Sequence, residues 1–475
     1  MGRHEALAGN GGRMKSRCVL VLGAGNVCAC FVRFLLERID HHLVVADISE
    51  ERARATALGN RRAEPIRVDA SDASGLSRLI RETAASLVVS LLPPRLDPLV
   101  ARVCIDLRAQ MLTTSYASQA LKELNGDAQK ADVLVLAEIG LDPGIDHLIA
   151  ARAIDAAHGA GAEVIAFESV CGAIPAQESS LNPFAYKFSW FPRGALAAVK
   201  RPARFLRDGE VLTLPEAEIL EYSSLRHFEP LGWFEDYPNM DALIYAQEYG
   251  IPEARTLYRG TLRYPGWCET LRVIYRLGLL DEAREFHVAS GLSYRGLLAQ
   301  LLGMPEHGDL EGTVAKRSGV HPTSTVMQRL VWLGIFAEEA IPLARATAFD
   351  ILLDLMVKRL RYERGERDLV ALDVSILERR RGQTVQASSQ VVAFGIPEGD
   401  SATARTVGAP AAIAAQLILE GRVPLRGVRL PTDKSIYLPV LKSLPEAGIA
   451  VTERRRSVPW REEGGERRLA TMGRR

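Results

Sequence analysis

Two short stretches combine residue types that could bind a ligand and do chemistry. The first, Gly23-Ala24-Gly25-Asn26-Val27-Cys28, lies between the apolar run CVLVL and an amphipathic helical pattern. One glycine permits a tight turn, the next lets a ligand approach the main chain, and the helix amino terminus supplies N–H donors for a phosphate. The pattern predicts a dinucleotide-binding turn, with a small cysteine at the place of the third glycine.

The second stretch is EIGLDPGIDH, residues 138–147, which carries three carboxylates, a histidine, a proline and two glycines. Asp142 before Pro143 is typical of a helix N-cap, and Asp146 suits the positive end of the helix dipole. A helix that begins beyond the last strand of a parallel sheet presents its cap to the ligand side. We expect Asp142 and its neighbours to touch ligands, while Asp146 and His147 mainly stabilise the helix.

The elements that must position these residues follow from the order of apolar runs. From Cys18 to about Ile139 short strand-like runs alternate with helical patterns: CVLVL, HLVVAD, PIRVDA, LVVSLLP, QMLTTS and VLVLAEI. This alternation predicts an α/β fold with a Rossmann-type, doubly wound parallel sheet. After a long helix beyond His147 the strand candidates are widely spaced, namely EVIAFESV, RTLYRGTLRY, LVALDVSIL and TVQASSQVVAF. That spacing favours a second, mixed α+β domain.

Composition limits the classes of partner. Lysine plus arginine number 59 against 58 aspartates plus glutamates, so no net field attracts nucleic acid or an anionic membrane. The six cysteines lack zinc or disulfide spacing, which favours reduced thiols in a cytoplasm and no metal site. The first sixteen residues lack the apolar core of a signal peptide, and we see no apolar run that approaches the roughly 18 residues needed to span a bilayer, so we expect neither. Small molecules are the expected partners.

Asp47, the acid that ends the second predicted strand, indicates which nucleotide binds. Its carboxylate can accept a hydrogen bond from a ribose 2′-hydroxyl but would repel a 2′-phosphate, which favours NAD over NADP. Asp47 could also cap the next helix, and the two roles are compatible.

Further candidates follow the other predicted strands, because ligands of open parallel sheets sit beyond the carboxyl ends of the strands. Leu92 suits a wall for nicotinamide or ribose, and the hydroxyls of residues 114–116 could anchor a polar ligand. For Ser115, capping of the helix ASQALKEL is an equally good interpretation.

The chain also resembles a known family at the motifs TTSY, EIGLDPGIDH, NPFAYKFSW, RGTLRYPGW and GERDLV. Their order and context are those of saccharopine dehydrogenases of the glutamate-forming type, and the resemblance covers about Arg17 to Leu430. It implies an oxidoreductase that converts saccharopine, NAD(P)+ and water to glutamate and 2-aminoadipate 6-semialdehyde, or the reverse. It also implies a homodimer whose mixed domain closes over the substrate.

With these implications the domain prediction has five parts, because 475 residues exceed one core. We expect a flexible N terminus at 1–16, a dinucleotide-binding domain at 17–142 and a substrate-binding and dimerisation domain at 143–395. A C-terminal segment at 396–452 is expected to return to the Rossmann domain, and a charged tail at 453–475 to be disordered.

Carried over by motif, the resemblance assigns residues to three roles. Those for the nucleotide, including the glycine turn, are Gly23, Ala24, Gly25, Asn26, Val27, Asp47, Ile48, Ser49, Asp69, Ala70, Leu92, Thr114, Ser115, Leu141, Asp142 and Pro143. Those for the substrate are Ser115, Tyr116, Asp142, Thr261, Leu262 and Arg263, and the catalytic candidates are Asp142 and Cys171. Saccharopine bears three carboxylates, which need hydroxyls and at least one guanidinium. Without the resemblance, Arg263 would be interpreted as a surface or sheet-edge arginine.

One departure from the family bears on the substrate. The resemblance leads us to expect arginine where this chain has Met240. Either Arg226 or Arg255 takes over that carboxylate, or the substrate has one carboxylate fewer, and without a substitute we expect weak saccharopine binding. NADP users of the family place an arginine near the position of Asp47, which agrees with NAD here, although NADP stays possible.

Two other functions remain open at this stage. A carboxynorspermidine-type polyamine dehydrogenase would keep the fold, but its site should cluster acids instead of Thr261 and Arg263. A non-catalytic, NAD-binding sensor or scaffold would bind the nucleotide without turnover.

Overall fold

The computed structural model describes residues 18–216, 218–288 and 291–458. The chain forms two compact units. The first contains the chain up to Gly144 together with Val407–Pro431, and the second contains Ile145–Thr406 and the chain from Thr432 onward.

Strands and helices are numbered here along the chain. The strands are β1 Cys18–Leu22, β2 His42–Asp47, β3 Ala63–Arg67, β4 Ala85–Ser90, β5 Gln110–Thr113, β6 Leu134–Leu136, β7 Glu163–Pro175, β8 Ala203–Arg207, β9 Glu210–Leu214, β10 Ser224–Phe228, β11 Gly232–Pro238, β12 Thr256–Arg263, β13 Glu285–His287, β14 Arg345–Thr347, β15 Asp368–Arg380, β16 Gln383–Phe394, β17 Gly427–Arg429 and β18 Val451–Ser457. The helices are α1 Cys28–Arg38, α2 Glu50–Thr56, α3 Ala73–Thr83, α4 Asp97–Leu107, α5 Gln119–Lys122, α6 Asn125–Lys130, α7 Ile145–Gly159, α8 Pro192–Ala197, α9 Tyr245–Glu248, α10 Trp267–Arg276, α11 Tyr294–Leu302, α12 Leu310–Ser318, α13 Thr325–Leu333, α14 Ala348–Arg359, α15 Ala402–Leu419 and α16 Lys434–Ser443.

The first unit is built on a parallel sheet. Seven strands of the described chain lie in the order β17-β6-β5-β4-β1-β2-β3, and every pair is parallel. Strand β1, CVLVL, is buried along its whole length, as expected for a central strand covered on both faces. Its neighbours β2 and β4 mark the point where the chain reverses its direction across the sheet, where ligands of such folds bind. The predicted Rossmann-type fold is confirmed.

The second unit is a mixed sheet with helices. Within the described residues nine strands pair, and the main path runs β10-β11-β12-β7-β15-β16-β18, with β8 beside β12 and β9 beside β8. Strands β7 and β12 are parallel, whereas the other neighbours are antiparallel. A large apolar core that includes Phe205, Phe234 and Trp267 packs the sheet with its helices. The predicted mixed α+β domain is therefore confirmed as well.

The C-terminal part of the chain differs from the prediction. Of the segment 396–452, residues 407–431 cluster with the first unit, while the chain from Thr432 clusters with the second. Disorder from Glu453 is wrong through Ser457, because these residues form β18 and pair with β16, while Arg454 and Arg455 form ion pairs with Glu229 and Glu378. The rest of that tail beyond Val458, and the predicted flexible N terminus, lie outside the described residues.

Helix α15 corrects one statement made from the sequence. Ala402–Leu419 is long and apolar enough to cross a membrane by length and composition, although 83% of that window is buried inside the protein. Burial of this kind is what a core helix shows. The six cysteines are all buried and free.

Candidate functional site

The glycine turn follows β1 and has room for a ligand at one position. Gly23 has a φ of 95°, and a Cβ there would lie 2.8 Å from the carbonyl oxygen of Leu91, so the turn requires glycine. At Gly25, which is exposed, a Cβ would meet nothing within 4 Å. The open main chain at the start of α1 therefore fits a dinucleotide pyrophosphate.

Asp47 is held in place by three donors at the end of β2. Its Oδ2 accepts from the N–H of Ala24 at 2.8 Å, and its Oδ1 accepts from the N–H of Ser49 at 2.8 Å and from Arg52 Nη2 at 2.7 Å. Burial opposes ionisation, but these hydrogen bonds outweigh it and lower the pKa of Asp47. The cap of α2 is Ser49, whose Oγ accepts from the N–H of Arg52, so Asp47 is not that cap.

Other nucleotide candidates lie at the same carboxyl edge of this sheet. Ile48 is exposed directly after β2, and Asp69 is exposed after β3, where the side chain and N–H of Ser71 lower its pKa. The side chain of Leu92 lies against the glycine turn, since its Cδ2 would be 3.3 Å from a Cβ at Gly23. Ala70 is buried, so little of its side chain is offered to a ligand.

The turn after β5 brings Ser115 and Tyr116 to this edge. Tyr116 donates its hydroxyl proton to Asp142 Oδ1 at 2.7 Å, which joins the turn after β5 to the turn after β6. The alternative role of Ser115 as a helix cap does not apply, because Ser118 accepts from the N–H of Leu121 and caps α5. Ser115 is left partly exposed.

The stretch 140–144 forms a tight turn, and the predicted N-cap at Asp142 is wrong. The N–H of Gly140 donates to the carbonyl of Pro143 at 2.9 Å, and helix α7 begins only at Ile145. Gly144, with a φ of 149°, packs so closely that a Cβ would lie 2.0 Å from the Gly140 oxygen. The turn thus directs the half-buried Asp142 toward Tyr116, while Leu141 and Pro143 are buried.

Asp146 and His147 lie in the second unit and are fully buried. Asp146 Oδ2 pairs with Arg259 Nη2 at 2.6 Å, and His147 Nδ1 is hydrogen-bonded to the hydroxyl of Tyr249 at 2.6 Å. The guanidinium of Arg259 also lies over the ring of Tyr245, 4.6 Å from its centroid. These contacts anchor the first turn of α7 in the core of the second unit.

Arg263, at the end of β12, is a buried cation of a different kind. It is 5% exposed, and its Nη1 donates to the carbonyl of Leu262 at 2.8 Å. Its guanidinium lies over the rings of Tyr186 and Trp267, 5.1 and 5.7 Å from their centroids. In the part of the chain that the structure describes, no carboxylate forms an ion pair with it, and its Nε has no hydrogen-bond partner. The two rings lie on one side of the guanidinium, since their centroids are only 4.3 Å apart, and the N–H of Nε remains for an anion.

The neighbours of Arg263 include residues predicted from sequence and residues that were missed. Thr261 points to the same face of β12 as Arg263, and it lies opposite Cys171 of β7. Leu262 points the other way and is fully buried against Gly172, so its side chain is part of the core. The aromatic residues Tyr186 and Trp267 were not predicted, although NPFAYKFSW and RGTLRYPGW, which contain them, were noted as motifs.

The two arginines proposed as substitutes at Met240 are both engaged elsewhere. Arg226 donates from Nε to Asp236 Oδ2 at 2.8 Å and from Nη2 to Glu168 Oε2 at 3.0 Å. Arg255 Nη2 donates to the carbonyl of Asp208 at 3.0 Å. If Arg226 turned to a substrate carboxylate, the buried Asp236 would lose its cation, which makes this replacement costly.

Comparison with known proteins covers both units. A family model described as "Saccharopine dehydrogenase NADP binding domain" matches residues 19–136, and one described as "Saccharopine dehydrogenase C-terminal domain" matches residues 140–449. The solved structure of apo histidine-tagged saccharopine dehydrogenase (L-Glu forming) from Saccharomyces cerevisiae is similar with a TM-score of 0.83 and 33% identity. That similarity covers 92% of this chain and 99% of the yeast chain.

Relatives from other organisms differ in length. Saccharopine dehydrogenase [NADP(+), L-glutamate-forming] of Pyricularia oryzae is 33% identical over 442 residues, which are 91% of this chain and 97% of the relative. Alpha-aminoadipic semialdehyde synthase, mitochondrial, of Bos taurus is 35% identical over 448 residues, and the plant relative from Arabidopsis thaliana is 32% identical. The chain spans about half the length of these animal and plant relatives, 47% and 45%. The predicted resemblance is confirmed, and the chain belongs to the saccharopine dehydrogenase family.

Proposed function

We propose that this chain oxidises saccharopine, with water and a nicotinamide dinucleotide, to L-glutamate and 2-aminoadipate 6-semialdehyde, or runs the reverse reaction. The observation that carries the proposal is the buried guanidinium of Arg263, which has no ion-pair partner in the described chain. A carboxylate of the substrate would supply that partner with charge-assisted hydrogen bonds. The fungal relatives are named for the L-glutamate-forming reaction, and these names support the same substrate class.

The substrate residues carried over from the family resemblance are assigned on each unit by itself. From the first unit we assign Ser115, Tyr116 and Asp142 to the amino acid substrate. From the second unit we assign Thr261 and Arg263 through their side chains, and Leu262 through its main chain, because its side chain is in the core. When bound, the nicotinamide accepts hydride from the carbon attached to the substrate nitrogen.

The substrate nitrogen must lose a proton before its lone pair can drive hydride transfer. We assign the binding of this secondary ammonium to Asp142, whose carboxylate is half-buried and oriented by the hydroxyl of Tyr116. Cys171, opposite Thr261 in register, is the second proposed proton-handling group. Water then adds to the resulting imine, and the carbon–nitrogen bond breaks to release the amino group of glutamate.

We infer that Met240 weakens this site for a substrate with three carboxylates, because Arg226 and Arg255, the candidates to replace the expected arginine, both have other partners. We therefore propose that saccharopine binds with a higher Michaelis constant than in relatives with that arginine. Opines with two carboxylates are the competing substrates.

The choice between NAD and NADP depends on Asp47 and Arg52. The family model is described as NADP-binding and the fungal relatives are named for NADP(+), so the comparisons do not support an NAD preference. We propose NAD because the Asp47 carboxylate would repel the 2′-phosphate of NADP. The exposed Arg52, now paired with Asp47, could turn to that phosphate and permit NADP. Asp47→Ser should raise the ratio of NADP to NAD specificity constants, and Arg52→Gln should lower it.

One panel of assays tests the proposal. Absorbance at 340 nm is followed with saccharopine, related opines and carboxynorspermidine, each with NAD and with NADP, and nucleotide binding is measured by calorimetry. Turnover of saccharopine with either nucleotide supports the proposal. Turnover restricted to carboxynorspermidine would replace it with a polyamine dehydrogenase, and nucleotide binding without any turnover would replace it with a sensor or scaffold.

Assembly and location stay predictions that follow from the resemblance and the composition. We propose a homodimer in the cytoplasm. Light scattering at several protein concentrations checks the first, and fractionation of the source cells checks the second.

A further inference from the structure

Asp97 is a buried acid that no step of the proposed reaction uses. It is the first residue of α4 and is 1% exposed. Its Oδ1 accepts from Ser90 Oγ at 2.6 Å, and its Oδ2 accepts from Thr113 Oγ1 at 2.9 Å. Ser90 and Thr113 are the last residues of the adjacent strands β4 and β5, and both are fully buried. The carboxylate therefore ties two strand ends together at the ligand edge of the sheet.

The contact with Thr113 continues into the main chain. A hydroxyl has one proton to donate, and Thr113 donates it to Asp97, which turns its lone pairs toward other donors. Thr113 Oγ1 accepts from the N–H of Ser115 at 3.2 Å. The carboxylate of Asp97 thus sets the direction of the hydroxyl that holds Ser115.

The other end of the same turn, residues 113–117, is held by a second buried acid. The N–H of Ala117 donates to Glu138 Oε1 at 2.9 Å, and the N–H of Glu138 donates to the carbonyl of Ser115 at 3.1 Å. Glu138 is 1% exposed and has a φ of 60°, a conformation that is uncommon for a residue with a side chain. Two buried carboxylates therefore hold the turn from its two ends.

Keeping Asp97 ionised in this place is costly. The groups that face it are the two hydroxyls of Ser90 and Thr113, and within the described residues no charged side chain of β4, β5, α3 or α5 pairs with it. Burial raises the pKa of Asp97 to about 6 in spite of the two hydroxyl donors. Buried acids with perturbed pKa values are enriched at functional sites.

We propose that Asp97 is a positioning residue that acts through Thr113 to fix Ser115 and Tyr116 for ligand binding, with Glu138 anchoring the far end of the turn. This inference rests on the proposed function, which assigns Ser115 and Tyr116 to the nucleotide and the substrate. Neither acid touches a ligand in this proposal.

The test compares variants that differ by one group in the full-length protein. Thr113→Val removes the hydroxyl at constant shape, Thr113→Ser keeps it, and Asp97→Asn removes the charge. The matched controls are Thr83→Val, which removes a hydroxyl bonded to the Leu79 carbonyl in α3, and Asp373→Asn, a buried acid of the second unit that accepts from Ser388 Oγ.

Three readouts are expected to change together. Amide hydrogen exchange at residues 113–117 should speed up about tenfold in Thr113→Val and Asp97→Asn, and the dissociation constants for nucleotide and saccharopine should rise about five- to tenfold. In Thr113→Ser, which keeps the hydroxyl, and in the two controls, all three quantities should stay within about twofold of the wild type. Between pH 5 and 8 the wild-type nucleotide affinity should change with a midpoint near pH 6, and Asp97→Asn should lack that inflection.

Two outcomes separate failure of this inference from failure of the proposed function. If the wild type binds nucleotide and saccharopine while Thr113→Val and Asp97→Asn bind equally well, and only their thermal stability drops, Asp97 is structural and the inference is overturned. If the wild type binds neither ligand, the proposed function fails, and the positioning role fails with it.

Discussion

Two arginines of the second unit have contrasting surroundings: Arg226, which is partly buried, and Arg263, which is buried. Arg226 has a carboxylate on two of its nitrogens, and the pKa of Arg226 is raised because Asp236 and Glu168 outweigh the effect of burial. Arg263 has two aromatic rings on one side and donates a hydrogen bond to one main-chain carbonyl. A charge that is paired with two carboxylates stabilises the fold, whereas a charge with an unused N–H donor could bind a ligand. The proposed role of Arg263 therefore depends on its unused donor and not on its burial.

The largest effect is expected from replacing Arg226, which is paired with two carboxylates. Arg226→Met would leave Asp236 and Glu168 without their cation, which should lower the free energy of unfolding by about 3–5 kcal/mol. Denaturant unfolding followed by tryptophan fluorescence measures this. Arg255→Met, at a more exposed position of the same unit, is the control and should change stability by about 0.5 kcal/mol or less. If Arg226→Met were stable but raised the Michaelis constant for saccharopine, Arg226 would belong with the ligand-binding charges.

Replacing Arg263, which has an unused N–H donor, should weaken the reaction with saccharopine. Arg263→Lys keeps the charge but loses the planar edge, and loss of one partner of a buried charge pair costs about 2–5 kcal/mol. At about 1.4 kcal/mol per factor of ten, we expect the specificity constant for saccharopine to fall roughly 30- to 4000-fold, with nucleotide affinity unchanged. Steady-state kinetics and calorimetry measure the two quantities. An unchanged specificity constant would mean that the aromatic rings alone account for the buried guanidinium.

The glycine turn shows a similar contrast between Gly23, which the fold requires, and Gly25, which is open to a ligand. Gly25→Ala meets no atom and should leave stability within about 1 kcal/mol, yet weaken nucleotide binding about tenfold because the ligand approaches the main chain there. Gly23→Ala should instead lower the melting temperature, since its Cβ collides with Leu91. Calorimetric titration and thermal unfolding distinguish them. Equal nucleotide affinity in Gly25→Ala and wild type would place the pyrophosphate elsewhere.

The last expected effect is a pH dependence of stability. The pKa of Asp97 is raised in the folded state to about 6, above its ordinary value, so folding favours its protonated form. Stability relative to Asp97→Asn should therefore rise as pH falls below about 6, by about 1 kcal/mol per pH unit until the ordinary pKa is reached. Urea unfolding of both proteins from pH 7 to pH 4 measures the difference. A difference that does not vary with pH would show that Asp97 is ionised throughout.

The first unit was largely predictable because its signals are local and periodic. The runs CVLVL and HLVVAD became β1 and β2 with their predicted bounds, and Asp47 ends β2 as expected. The error at Asp142 arose because Asp-Pro has the same local pattern in a helix cap and in a tight turn. Only the packing of Gly144 against Gly140 distinguishes the two.

The second unit was predicted less completely because its contacts are distant in sequence. Strands β8 to β11 and β18 have no clear alternation of apolar and polar residues. The sequence of β18 has the composition of a charged tail, and only its pairing with β16 identifies it as a strand. The aromatic rings around Arg263 come from residues 186 and 267, and no spacing rule relates those positions. Asp97 was missed for a similar reason, since its partners at positions 90 and 113 meet only through the sheet.

The position of strand β17 in the chain affects how the first unit can fold during synthesis. It pairs with β6 through residues 427–429, nearly three hundred residues after β6 has left the ribosome. Until then β6 is an open sheet edge with free main-chain donors and acceptors, which can pair with other chains. The nascent protein must protect that edge during synthesis of the whole second unit, so truncation before Gly427 should expose an aggregation-prone strand.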